Sequence, residues 1–266
     1  MTDKAALHRN RSRATQDALF LHHAAADEIQ DRLNVVKKSF SKAIIVTGFP
    51  ALWSARFPDF QVIADDDVLA LDPNSADLVI HAMALHWAND PVGQMIQCCR
   101  ALKPDGLFLA ATFGGQTLHE LRACLGQAEV AVSGGLSPRV APMTELRDSG
   151  SLLQRAGLAL PVADALPLRV AYRDLWHLMQ DLRTMGEGNA LNDRLRRPTA
   201  KQVFDHAAEL YQTHFPESDT KIIATFELIF LTGWAPDQSQ PKPLRPGSAQ
   251  HRLADALNVN ETKLPD

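Results

Sequence analysis

An α/β fold on a mostly parallel sheet follows from three features of this 266-residue chain. The first is a strand, helix, tight turn and strand in succession over residues 76–112. It consists of Ala76-Asp-Leu-Val-Ile-His-Ala82, a helical stretch opening at Asp90-Pro91, the turn Lys103-Pro-Asp-Gly106, and Leu107-Phe-Leu-Ala-Ala111. Such crossovers join parallel neighbours and are right-handed. The second is Lys42-Ala-Ile-Ile-Val-Thr-Gly48, a short continuous apolar run typical of a strand covered on both faces. The third is composition. With 45% apolar and 22% charged residues, the chain can fill a core, and wholesale disorder is excluded.

The remaining elements follow in order. Residues 1–14 are polar and carry Arg9, Arg11 and Arg13, which reads as a mobile or partly docked arm with solvated arginines. Residues 15–36 place Leu19, Ala26, Ile29, Leu33 and Val36 at helical spacing without Gly or Pro. A second strand is expected at 61–64, running into Asp65-Asp66-Asp67. The helix after Asp90 has Pro91 in its first turn and presents Val92, Ile96, Cys99 and Leu102 as its apolar face. Residues 117–129 form a helix, 133–142 a loop, and 143–156 a helix stopped by Gly157. Residues 166–172 suit an edge strand, where Pro167 is tolerated. Helices over 175–185 and 199–214 and a strand over 222–233 complete the pattern. The expected division is an arm and helix at 1–40, a main domain at 41–235 with a helical insertion about 173–215, and a Pro/Gln-rich tail at 236–266.

Charge narrows the function. The 27 Lys+Arg against 31 Asp+Glu argue against a nucleic-acid coat and a polybasic membrane binder. No apolar run reaches the ~18 residues of a membrane span, so no direct membrane insertion is expected, and a bacterial cytoplasmic setting is. Three cysteines, Cys98, Cys99 and Cys124, suit free thiols in a reducing compartment. His81 and His86 lack the spacing of a helical zinc pair and a nearby third ligand, so they read as pocket walls and no metal is expected.

Open parallel sheets bind ligands beyond the carboxyl ends of their strands. Gly48, Asp65–Asp67, residues 83–87 and residues 112–115 fall there. Gly48 is followed by Phe49 and by Pro50, which has no N–H to offer, so it reads either as a strand-ending glycine or as part of an anion cradle. Asp65 lies 17 residues beyond Gly48, near the ~20-residue offset of a ribose-binding acid; a solvated acidic loop is the competing reading.

Several motifs together resemble a known family. Asp77-Leu-Val-Ile, Ala84-Leu-His86-Trp87, Asn89-Asp90 and Leu102-Lys-Pro-Asp-Gly-Leu-Phe108 are similar to class I S-adenosylmethionine-dependent methyltransferases. Phe113-Gly-Gly-Gln-Thr-Leu-His-Glu-Leu-Arg122, Gly134-Gly-Leu-Ser-Pro-Arg139, Met179-Gln-Asp-Leu-Arg-Thr-Met-Gly-Glu187 and Leu244-Arg-Pro-Gly-Ser-Ala249 resemble one branch. That branch is the methyltransferase-like respiratory complex I assembly factors, whose bacterial members are often labelled as relatives of the biotin-pathway malonyl-carrier methyltransferase.

The resemblance implies a Rossmann-like, seven-stranded methyltransferase sheet, S-adenosylmethionine as cofactor, and a protein substrate or respiratory complex subunit as partner. In the mitochondrial branch it implies hydroxylation of an arginine. By position, Gly48 stands in the first glycine loop and Asp65 and Asp66 in the adenine loop. Ala84, Leu85, His86 and Trp87 face the methionine end, and Phe113, Gly114, Gly115 and Arg122 the substrate. The first loop departs from the family's Gly-x-Gly pattern, reading Thr47-Gly-Phe-Pro-Ala51. The stretch from Gly48 to Asp65 is short by about a helix and the ribose-binding strand. Three functions follow: a methyltransferase-like protein acting on a protein side chain, a non-catalytic assembly factor with a degenerate cofactor site, or a carboxyl methyltransferase using Arg122, Arg139 and Arg183 to hold a carrier-bound acid.

Overall fold

Successive side chains of a strand point to opposite faces of a sheet, and in this protein both faces are apolar. The computed structural model describes residues 1–218, 220–241, 254 and 259. Its sheet contains β1 (Ala43–Thr47), β2 (Gln61–Ile63), β3 (Ala76–Ala82), β4 (Leu102–Phe113), β5 (Ala159–Tyr172), β6 (Pro216–Ser218) and β7 (Lys221–Trp234). The order is β2-β1-β3-β4-β7-β5, with β6 paired to β7. β1 lies parallel to β2 and β3, and β3 parallel to β4. β7 runs antiparallel to β4, β5 and β6. The mostly parallel sheet read from the sequence is present, and β5 is its edge strand.

Eight α-helices pack around it among the described residues: α1 (Lys4–Arg11), α2 (Phe20–Val35), α3 (Pro50–Arg56), α4 (Pro91–Ala101), α5 (His119–Ser133), α6 (Leu146–Arg155), α7 (Leu175–Thr184) and α8 (Lys201–His214). Ile45, Leu78, Leu109 and Phe230 face one core with Ile29, Leu125, Leu178 and Tyr211 of the helices. Ile44, Val79 and Phe108 face the other, with Met95 and Cys98 of α4 and Leu153 of α6. Met1–Pro236 form one compact unit and Asp237–Asp266 another. The surface tail expected at 236–246 falls, from residue 242 onward, outside the described residues.

Three expectations need correction. The arm at 1–14 is docked, one of the two states expected, but its arginines are not all solvated: the Arg11 side chain is 11% exposed, and Ala6 and Leu7 of α1 are buried against Trp87, Ala141 and Ala190. Asp3 caps α1 by accepting from the Ala6 N–H and also pairs with Arg194 at 3.0 Å. Two apolar residues and a cap anchor a segment whose polarity suggested solvent.

The buried face of α4 is Gln94, Met95, Cys98 and Ala101, about one residue round from the face expected. Gln94 causes the rotation, because it supplies polar groups that the interior needs. It bonds His81 Nε2 at 2.9 Å and donates to the Asp66 carbonyl at 2.9 Å.

The 103–106 turn is folded into β4. Ala76 pairs with Leu102 and Leu78 with Leu107, so the residues between bulge out, with Asp105 at φ +58°.

The connection after Gly48 is short. β2 pairs directly with β1 through Ile44–Gln61, Ile45–Val62 and Val46–Ile63, and only the seven-residue α3 joins them. This puts the carboxyl end of β2, and therefore Asp65, beside Gly48.

The packing of α4 gives a direct check. Met95→Ala removes a core side chain and is expected to cost about 2–5 kcal/mol in urea denaturation, whereas Ile96→Ala, on the half-buried flank, costs less than half as much.

Candidate functional site

Among the described residues three cavities lie near the carboxyl ends of the parallel strands; one, about 160 Å³, is lined by Leu85, His86, Thr112 and Phe113, and the other two hold most of the charged groups. The first of these two, about 410 Å³, lies between the ends of β1 and β2 and the inner side of α1. Gly48, Ile63, Asp65 and Asp66 form one wall, and Lys4 and Arg11 the other. Arg11 Nη1 donates to both Asp65 carboxylate oxygens, at 2.8 and 2.9 Å, and each side chain is only 11% exposed. A Cβ on Gly48 would run into the Arg11 guanidinium. Arg11 Nε and Nη2 are buried without a hydrogen-bond partner among the described residues, and each such orphan costs about 1–3 kcal/mol.

Helix α1 reaches this position through several tethers. Asn10 donates to the Gly188 carbonyl at 2.8 Å, and Lys4 pairs with Asp67 at 3.1 Å. The opposite wall is held from α4, where Gln94 and Gln97 donate to the carbonyls of Asp66 and Asp67.

S-adenosylmethionine presents a ribose diol that seeks a carboxylate and a methionine end that approaches backbone donors beside a glycine. Here Asp65 already faces a guanidinium, Arg11 covers Gly48, and Pro50 offers no N–H. With α1 in place, the residues present do not fit that cofactor.

The second cavity, about 230 Å³, has Trp87, Phe113, Met179, Phe204 and Phe226 among its walls, with Glu187, Arg139 and Arg183 as charged groups. Glu187 follows α7 through Gly186, whose φ of +83° requires glycine. Trp87 Nε1 donates to Glu187 Oε2 at 2.7 Å. His86 Nε2 lies 3.4 Å from the same oxygen, and His86 Nδ1 lies 3.4 Å from Thr112 Oγ1. The side chains of His86 and Glu187 are 1% and 8% exposed. Burial alone would raise the Glu187 carboxyl, but the His86 ring, the Trp87 N–H and Arg11 outweigh it and hold it below the usual carboxylate range.

The sequence-derived residues divide between these places. Gly48, Asp65 and Asp66 meet at the first cavity. Trp87 and Phe113 line the second, with His86 behind Glu187. Ala84 and Leu85 are buried, and Leu85 packs into the α4 side of the core. Cβ atoms on Gly114 and Gly115 would meet Glu227 and Glu145, so these glycines admit carboxylates of neighbouring segments. Arg122 is exposed and reaches only the Ala141 carbonyl, at 3.4 Å.

Arg139 is committed to Glu129 at 2.6 Å. Burial opposes ionisation of Glu129, but Arg139 and Ser137 override it and bring its carboxyl down to about 2. Arg183 is exposed, with no ion-pair partner among the described residues. Burial raises the thiols of Cys98, Cys99 and Cys124, the last to about 11, which leaves them unreactive.

Sequence reasoning did not single out Arg11 or Glu187. Glu187 did stand in a quoted motif, at the end of an apolar helix, where a lone carboxylate is unusual. Among the described residues no group of three or more His, Cys, Asp or Glu could hold a metal, and no helix is long and apolar enough to cross a membrane.

Residues 14–110 match the family model for a methyltransferase domain. Over 230 residues the chain is 35% identical to the mitochondrial arginine-hydroxylase NDUFAF5 of Danio rerio, covering 85% of this chain and 70% of that protein. The chain belongs to the class I S-adenosylmethionine-dependent methyltransferase superfamily.

The Dictyostelium discoideum protein of the same name is 40% identical over 192 residues, covering 72% of this chain but 44% of that protein. The chain thus spans less than half of that relative's length. A malonyl-[acyl-carrier protein] O-methyltransferase of Methylovorus is 34% identical over 175 residues, 66% of this chain and 56% of the relative. In fold, a Bacillus halodurans structure provisionally named a methyltransferase superposes with a TM-score of 0.51 at 14% identity, covering 80% of this chain and 99% of that one. The sheet read from the sequence is thereby that of the superfamily.

Two buried imidazoles set an acid limit. Burial pushes His22 down to about 3 and His81 down to about 4, whereas in the unfolded chain each protonates near 6.5. Their neutral forms stabilise the fold fully above about pH 6.5, and that stability is lost as pH falls toward 4. Denaturation between pH 7 and 4.5 is expected to show this slope, with a shallower one for His81→Asn.

Proposed function

We propose that this methyltransferase-like protein recognises an arginine side chain of a protein partner in the Glu187 cavity. The observation that carries this reading is a buried carboxylate, Glu187, in a chamber walled by Trp87 and Phe113, where Arg139 is already paired with Glu129 and Arg183 is the other charged group. A guanidinium is a planar cation that pairs with carboxylates in a fork and stacks on aromatic faces. Glu187 binds it, Trp87 and His86 orient that carboxylate, and the aromatic walls exclude water. The relatives named mitochondrial arginine-hydroxylases support an arginine as the group recognised. A respiratory complex subunit, as the motif resemblance implies, is the proposed source of that arginine.

The carboxyl methyltransferase reading draws on the malonyl-carrier relatives. It is disfavoured because Glu187 would repel a carboxylate substrate, and because Arg183 is the one arginine of the proposed three left unpaired in the cavity wall. The placement of Arg11 on Asp65 favours a second reading, a factor that keeps the arginine cavity and performs no cofactor chemistry. Arg11 occupies the place where S-adenosylmethionine, the superfamily's cofactor, would meet Gly48 and Asp65.

Titration calorimetry with N-acetyl-arginine methylamide and its citrulline counterpart, a neutral group of nearly the same shape, tests the reading. The arginine compound is expected to bind at least about tenfold more tightly, a preference of ~1.4 kcal/mol, and Glu187→Gln is expected to level the two. Equal binding by the wild-type chain would contradict it.

A further inference from the structure

We propose that α1 is a built-in stopper of a nucleoside pocket. Arg11 stands in for the ligand against Gly48 and Asp65, and the pocket accepts an adenosine-type ligand once α1 withdraws. This inference does not depend on what the Glu187 cavity binds.

Gly48 is the first support. Its φ is not in the left-handed region, so backbone conformation does not demand a glycine. The absence of a Cβ matters only for what lies over it, and what lies over it is the Arg11 guanidinium. Asp65 is the second. A carboxylate at the carboxyl end of the strand next to β1 stands where a parallel sheet offers an acceptor to a ribose diol, yet both its oxygens are taken by Arg11 Nη1. The chain has kept the geometry of a ligand cradle and filled it with its own side chain.

The attachment of the stopper is mainly polar. The helix is eight residues long and buries only Ala6 and Leu7 as apolar contacts; its other tethers are Asn10 to the Gly188 carbonyl, Lys4 to Asp67 and Asp3 to Arg194, which water replaces on withdrawal. Arg11 satisfies one of its terminal nitrogens and leaves Nε and Nη2 buried without partners, a defect that withdrawal relieves. The opposite wall would stay, because Gln94 and Gln97 of α4 hold the Asp66 and Asp67 carbonyls independently of α1. The same helix touches Trp87 through its buried residues, and Arg11 lies against Gly186, one residue before Glu187. Withdrawal of α1 therefore disturbs the second cavity as well as opening the first.

The test is titration of the full chain with S-adenosylhomocysteine. The wild-type protein is expected to bind weakly, Arg11→Ala at least about tenfold more tightly, and the Arg11→Ala/Asp65→Ala double variant to lose that gain. Arg11→Met, which keeps the packing stem and removes the charge, serves if the alanine variant does not fold. In the wild-type chain with millimolar S-adenosylhomocysteine, amide exchange over residues 4–11 is expected to accelerate. Tighter binding by the wild type than by a folded Arg11 variant would make Arg11 a ligand-holding residue and overturn the proposal. Absence of any gain in a folded variant, or unchanged or slowed exchange of α1, would also overturn it.

Discussion

A carboxylate removed from water must be given donors, since an unpaired buried charge costs several kcal/mol, and the outer elements of this protein are placed to supply them. Asp65 receives Arg11 from 54 residues away. Glu187 receives the Trp87 N–H from 100 residues away, and Glu120 receives the Thr225 N–H from 105. Each contact ties a peripheral segment to the sheet. The Arg11 pair seats α1 over β1 and β2, and the Trp87 bond pins the segment after α7 over β3. Hydrophobic burial builds the sheet and its helices; these donors decide which segment covers which strand end.

That division explains what could be read in advance. Continuous apolar runs such as 43–47, and the strand–helix–strand unit from Ala76, announce themselves because burial on both faces leaves no room for polar residues. The start of α4 was legible from Pro91, while its buried face was not. The stripe of Val92, Ile96 and Cys99 is the more apolar choice, and only the needs of His81 and the Asp66 carbonyl turn Gln94 inward. The candidate ligand residues Gly48 and Asp65 were legible as strand-end positions. Their partner was not, because one arginine in an Arg-x-Arg-x-Arg segment looks like any solvated charge until the shortened β1–β2 connection brings Asp65 under α1. Glu187 was hidden for a similar reason, since its donors, Trp87 and His86, lie on another loop.

The shortened connection links fold to function. With only α3 between them, the ends of β1 and β2 lie side by side, and α1 lies over them. The Glu187 cavity keeps its aromatic walls and its buried carboxylate. Recognition of a cationic side chain and closure of the nucleoside pocket are thus separate consequences of one compact arrangement, joined where Arg11 meets Gly186.

The Arg11 guanidinium resides on Asp65 in the folded protein. A double-mutant cycle in chemical denaturation, using Arg11→Met, Asp65→Asn and the combined variant, measures that contact with other effects cancelled. A coupling free energy above about 1 kcal/mol is expected, beyond what a solvent-exposed ion pair provides. Strictly additive single substitutions would mean that Arg11 and Asp65 do not meet in the folded protein.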